Sequence, residues 1–174
     1  KMAKKRLTFD DFFQFLYGMK LLKDKRLAVK TDKIIKYDET DINNIKSILP
    51  FKLTDSQDDV IKEIAVDLSS GLITNRLIQG DVGSGKTVVA VITLYLCVKS
   101  GFQGVVMVPT EVLAHQHFKS MENIFSKLEI PPKLGLLTGS MTKKEHLKAY
   151  EMIENGEYDI IVGTHALLTE DVKF

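Results

Sequence analysis

The sequence has no tryptophan, and only one cysteine and four prolines in 174 residues. A single thiol, Cys97, excludes an internal disulfide framework, and its place in the apolar run VVAVITLYLCV predicts a buried, inert side chain. No apolar run reaches the roughly 18 residues that a membrane span requires. The opening KMAKKRLTFDD lacks the apolar segment of a secretory signal, so the expectation is a soluble, cytoplasmic chain without a membrane partner. Arginine is absent after Arg76. Kinases of small phosphorylated substrates clamp both substrates with several arginines, which disfavours that class.

What is present supports a globular domain with a real core, since 44% of residues are hydrophobic and 27% charged. The net charge of +1 conceals an asymmetry. Residues 1–50 carry 12 Lys/Arg against 7 Asp/Glu, whereas residues 51–174 carry 12 against 16. A basic amino-terminal segment reads either as a solvated helix or as one lying along nucleic acid phosphates. The first residue is Lys1, not methionine, so the sequence reads as a piece of something longer.

Residues 8–24 read as an amphipathic helix. Thr8 and Asp11 form a capping box, and Phe9, Phe12, Phe13, Leu16 and Tyr17 recur at helical spacing. Such a helix needs a partner surface. LAVKTDKIIKYDETD has weak strand or loop character, and DINNIKSIL predicts a short helix ending before Pro50. Residues 1–50 form a helical linker or appendage.

From Phe51 onward the pattern alternates. A helix is expected from Thr54 to about Ser69, and short strands at RLIQ (76–79), GVVMV (104–108), LGLL (134–137) and IIVG (160–163). Between them fall a helix over 86–100, apolar nearly all round and ended by Gly101, one from Thr110 through Leu128, and one opened by Thr142 and Glu145 and closed near Gly156. Alternating strands and helices predict an α/β fold with a parallel sheet and ligands at the carboxyl ends of its strands.

GDVGSGKT, residues 80–87, matches G-x-x-x-x-G-K-[ST] in full, between an expected strand and an expected helix. Gly80, Gly83 and Gly85 permit backbone angles and close approach that side chains block, so the amides around Asp81, Val82 and Ser84 can turn toward phosphate oxygens. Lys86 is placed for the β- and γ-phosphates, and the Thr87 hydroxyl for Mg²⁺. Small-molecule kinases, switch GTPases, transporters and nucleic-acid motors all share this loop. Such enzymes hold Mg²⁺ and orient water with an acidic residue at the carboxyl end of a later strand. Here those strands run into Pro109-Thr110, Thr138-Gly139-Ser140 and Thr164-His165, and Asp159 precedes its strand. The expectation is nucleotide binding without turnover.

The three strand ends offer backbone amides, hydroxyls and helix starts to the phosphates of an extended ligand, although Thr110 also reads as an N-cap, Thr138 to Ser140 as a turn and Gly163 to His165 as a loop. In order, FKLTDSQ, LIQGDVGSGKTVVA, PTEVLAHQH, LLTGSM and VGTHALLTEDVKF resemble the superfamily 2 helicases, nearest to the RecG-type DNA helicases. Transcription-repair coupling factors share the phosphate-loop wording. The resemblance covers residues 51–174, and RLTFDDFFQFLYGMKLLK is similar to the helix that joins wedge and motor in that family. It implies the first part of a RecA-like motor domain that uses ATP and Mg²⁺ and works with further domains on branched DNA in repair and recombination. It also implies that Phe51 and Gln57 recognise adenine, while Thr54-x-x-Gln57 is itself a capping box that would occupy Gln57. Pro109, Thr110, Glu111, Thr138, Gly139, Ser140, Gly163, Thr164 and His165 would line the DNA path through phosphate contacts. A reading from another class remains open, a nucleotide-dependent switch acting on a protein partner. His115 and His117 point in different directions on their helix and read as packing residues rather than metal ligands.

Overall fold

The computed structural model describes the backbone of residues 2–27 and 29–174, and within the first helix the side chains of Arg6 and residues 9–21. Along the described chain run α1 (Met2–Leu27), α2 (Glu39–Ser47), α3 (Asp55–Ser69), α4 (Lys86–Lys99), β1 (Gly104–Met107), α5 (Glu111–Phe125), β2 (Leu134–Leu137), α6 (Lys143–Glu154) and β3 (Ile160–Gly163). A short 3-10 turn over His165–Leu168 follows.

The three strands make a parallel sheet in the order β1-β3-β2. Gly104, Ile160 and Leu134 share its first row, and Met107, Gly163 and Leu137 its last. This order dictates the layering. The crossover from β1 to β2 steps one way past the place of β3, and the crossover from β2 to β3 steps back. Right-handed connections therefore put α5 and α6 on opposite faces. Burial follows, because Ile160 and Val162 join the core that contains residues of α2, α3, α4 and α5, whereas Ile161 and Leu137 pack with Ala149 and Ile153 of α6 and with Ala166 and Leu167. The central strand is buried at all four positions, as a continuous apolar run in a two-faced sheet requires.

Local signals place the helices. α4 buries Val88, Val89, Val91, Ile92, Tyr95 and Leu96, and the chain turns out of it at Gly101 with φ of +82°. Reciprocal capping boxes open α3 at Thr54 and Gln57 and α6 at Thr142 and Glu145. A further one, Asp38 with Asp41, starts α2 slightly earlier than the sequence pattern suggested. Cys97 is half-buried, and desolvation pushes its thiol pKa up, which fits an inert group.

Two expectations are corrected. The first helix is already formed at Met2, so Thr8 lies inside it and does not cap it, and the Thr8 side chain is outside the described residues. Met, Ala, Lys, Arg and Leu all favour the helix, and the opening turns extend it past the expected start. Phe9, Phe12, Phe13, Leu16 and Tyr17 are all exposed on it, with Phe13 stacked against Phe9 and Tyr17 at ring separations of 6.2 and 6.1 Å. The other correction concerns residues 76–79, which form no strand. A strand exists through its ladder, and among the described residues nothing pairs with this segment. It runs as irregular chain with Leu77 exposed, anchored where Arg76 ion-pairs with Glu63 at 2.6 Å and with Asp67 of α3.

Residues 29–50 feed Ile35, Ile42 and Ile45 into the main core beside α3 and α4. Ser100 Oγ donates to the Lys36 carbonyl at 2.8 Å, which fastens this segment to the end of α4.

Candidate functional site

The phosphate-binding loop leads directly into α4. Gly83 and Gly85 take φ of +85° and +80°, a region that L side chains rarely adopt, and Gly85 is the N-cap of α4. A Cβ at Gly85 would collide with the Gln57 amide, and one at Gly80 with the Ser84 hydroxyl. The backbone at Gly80 and Gly85 therefore lies close against the Ser84 and Gln57 side chains. Lys86 Nζ lies within it, donating to the carbonyls of Gly80 at 2.7 Å and Asp81 at 2.6 Å. Thr87 is exposed in the first turn of α4, and the Val82 side chain projects freely from the tip. The opening amides of a helix lack intrahelical partners and carry its positive dipole end, so loop and lysine together suit a polyphosphate.

Gln57 braces this loop. Its Nε2 donates to the Ser84 carbonyl at 2.8 Å, and its Oε1 accepts from Thr54 N at 2.9 Å. A recess of about 320 Å³ opens between α3 and the loop, lined by Thr54, Gln57, Ile78, Gly80, Ser84 and Lys86. Phe51 is not in it. It stands half-exposed on a neighbouring recess of about 500 Å³ with Lys46, Pro50 and Asp58, and the two recesses share Thr54. Lys46 and Asp58 ion-pair on that wall, and the hydrogen bond from Lys46 holds the Asp58 carboxyl below its ordinary range. No sequence pattern signals this pair, because a helix-to-helix ion pair has no fixed spacing.

The three strand-end segments come together, since Met107, Gly163 and Leu137 lie in one row of the sheet. Pro109 and Thr110 follow β1, and Thr110 Oγ1 caps α5 by accepting from Leu113 N at 3.3 Å. Gly139 and Ser140 are exposed after β2, and His165 is exposed after β3. Two hydroxyls do not face outward. Thr138 and Thr164 are 1% and 2% exposed, and among the described residues Thr164 Oγ1 has no hydrogen-bond partner. Gly163 is buried beneath the Leu137 carbonyl and the Leu167 side chain, where a Cβ has no room. The Glu111 carboxylate accepts from Ser140 N at 2.8 Å, and this hydrogen bonding to Ser140 holds its pKa below the usual value.

His115 is exposed and His117 half-buried on α5, and among the described residues no group of three metal-ligating side chains occurs. No described helix is long and apolar enough to cross a membrane.

Comparison with known proteins places this geometry. The model of the DEAD/DEAH box helicase family matches residues 54–173. The ATP-dependent DNA helicase RecG of Streptococcus pneumoniae is 41% identical over 174 residues, all of this chain and 25% of that protein. The Aquifex aeolicus protein of the same name is 43% identical over 98% of this chain and 21% of its own length. A solved structure of RecG bound to a three-way DNA junction superposes with a TM-score of 0.86 at 38% identity, covering 99% of this chain and 23% of that one. A hypothetical ATP-dependent RNA helicase from Sulfolobus tokodaii shares the fold, with a TM-score of 0.53 at 21% identity over 76% of this chain and 35% of that one. The chain thus spans about a quarter of the length of the curated relatives it matches. With a glycine loop closed on its lysine and three strand ends along one sheet edge, the chain belongs to the DEAD/DEAH box helicase family, in the likeness of RecG.

Proposed function

We propose that this chain is the first part of the motor of a RecG-type ATP-dependent DNA helicase, which remodels branched DNA such as stalled forks and Holliday junctions in repair and recombination. Residues 1–50 act as its linker, docked through α2, and residues 51–174 as the first part of a RecA-like motor domain. The observation that carries the reading is the position of Lys86, whose ammonium occupies the mouth of a loop that glycines alone can form.

ATP would be held by Gly80, Asp81, Val82, Gly83, Ser84, Gly85, Lys86 and Thr87. Lys86 would exchange its two carbonyl partners for β- and γ-phosphate oxygens, setting its charge against theirs. The residues also fit Mg²⁺, which the exposed Thr87 hydroxyl would ligate together with the triphosphate, and which neutralises phosphate charge when bound. Phe51 and Gln57 lie on adjoining recesses beside the loop and form the adenine side.

DNA would pass along Pro109, Thr110, Glu111, Thr138, Gly139, Ser140, Gly163, Thr164 and His165, held by its backbone and so without sequence preference. In the complete helicase, nucleotide binding closes the cleft between two motor domains and hydrolysis reopens it, ratcheting DNA past these loops. No carboxylate follows β1, β2 or β3 directly, so this chain binds nucleotide without turning it over.

The buried Thr138 and Thr164 hydroxyls favour a second reading, in which the strand ends serve the fold and the chain is a nucleotide switch for a protein partner. Titrating ATP, and forked DNA at about 50 and 200 mM salt, decides between them. We expect Lys86→Ala to abolish nucleotide binding, DNA affinity to fall steeply with salt, and no ATP turnover. Unchanged ATP affinity in Lys86→Ala sinks the nucleotide site, and salt-insensitive DNA affinity favours the switch.

A further inference from the structure

β1 and β2 are not neighbours. With β3 between them and parallel strands about 4.8 Å apart, their ends stand roughly 10 Å apart. Glu111, the first residue of α5, belongs to the β1 side, yet its Oε1 accepts from Ser140 N at 2.8 Å on the β2 side. The side chain therefore ties together the segments that follow the two outer strands.

The loop after β2 has little else to hold it. Met141 N reaches the Thr138 carbonyl at 3.4 Å, Thr138 N reaches the Met141 sulfur at 3.4 Å, and the Thr138 and Ser140 hydroxyls stand 3.4 Å apart. The two contacts among oxygen and nitrogen atoms are long, the sulfur contact is a weak bond at ordinary distance, and the Glu111 bond is both shorter than these and charge-assisted. Gly139 allows the approach, since a Cβ there would lie 3.4 Å from the same carboxylate oxygen. As a DNA-facing group Glu111 would be unfavourable, because an anion repels phosphate. Turned onto Ser140 N at the positive end of α5, its charge is used within the protein.

We propose that Glu111 is a positioning residue, a strut that fixes the Thr138–Ser140 loop against the Pro109–Thr110 segment so that both present to one DNA backbone as a rigid unit. This rests on the DNA-path reading above. The strut depends first on reach and an acceptor oxygen, with charge adding to its strength, and these requirements can be separated. Glu111→Gln keeps the reach and the acceptor without the charge, whereas Glu111→Asp keeps the charge and is one methylene short.

The test is anisotropy of a labelled single-stranded oligonucleotide with this chain and with the Gln, Asp and Ala variants, across about 50 to 200 mM salt, together with amide exchange at Ser140. We expect Glu111→Gln, which keeps the contact but not its charge, to weaken binding by only about threefold. Glu111→Asp and Glu111→Ala should bind on the order of tenfold more weakly with an unchanged salt slope, because no phosphate contact is removed. Ser140 exchange should accelerate in the Asp and Ala variants alone. Equal or tighter binding by Glu111→Ala overturns the proposal, as does weakening in Glu111→Gln equal to that in Glu111→Ala. Absence of salt-dependent DNA affinity in the parent overturns the DNA reading and the purpose of the strut with it, while Ser140 exchange still reports whether the strut is made.

Discussion

The side-chain amide of Gln57 joins two elements that the chain separates widely, donating from Nε2 to the Ser84 carbonyl at 2.8 Å. Its other end accepts from Thr54 N, so the start of α3 and the phosphate loop form one hydrogen-bonded unit. A capping residue and a loop brace are here the same side chain.

Gln57→Glu retains the oxygen that caps α3 and replaces the donor with an oxygen facing a carbonyl. We expect α3 to stay formed by circular dichroism and nucleotide affinity to fall about tenfold, read by titration with a fluorescent ATP analogue. Gln57→Ala loses both bonds and should also lower stability by about 1 kcal/mol. Undiminished nucleotide affinity in Gln57→Glu means that the loop holds its shape unaided.

Ile45 of α2 is fully buried in the main core, whereas Phe13 of α1 is exposed. Ile45→Ala should cost about 2 to 5 kcal/mol in urea unfolding, and Phe13→Ala no more than about 0.5 kcal/mol. Equal effects would mean that α2 does not share the core of α3 and α4.

Acid should loosen the helix starts. Glu145, bonded to Thr142, and Asp38, bonded to Asp41, both have lowered pKa values. A carboxyl with a depressed folded pKa contributes stability that is present above its unfolded value and lost as pH falls through the folded one. The melting temperature should hold from neutrality down to the ordinary Glu and Asp values of 4.5 and 3.8, then decline below them. Glu145→Gln should shift the decline, and a profile identical to the parent's would remove Glu145 as a cause.

Much of this was legible because it is local. A capping box needs only Thr54 and Gln57 three residues apart, and the phosphate loop is spelled out between Gly80 and Thr87. What escaped the sequence depends on partners. Residues 76–79 have strand composition but no ladder to join. Phe51 and Gln57 are close in sequence, yet the turn before α3 sends them to different recesses. The burial of Thr138 and Thr164 and the span of Glu111 follow from β3 lying between β1 and β2, an order that no spacing encodes. The first helix begins upstream of the Thr8 and Asp11 capping pattern because the residues before Thr8 all favour the helix, and that run outweighs the cap.

That strand order also bears on how the chain comes together during synthesis. Among the described residues Gly104 and Leu134 both pair with Ile160, so β1 and β2 emerge first with no ladder between them. Among these three strands β3 is the keystone, and until it is made the growing chain can build helices and bring together the faces of α2, α3 and α4 but cannot join β1 to β2. Non-local pairing of this kind is slow, so a ribosome paused shortly before Ile160 would carry helical structure and bare strand edges, the state most exposed to chaperones and to misassembly.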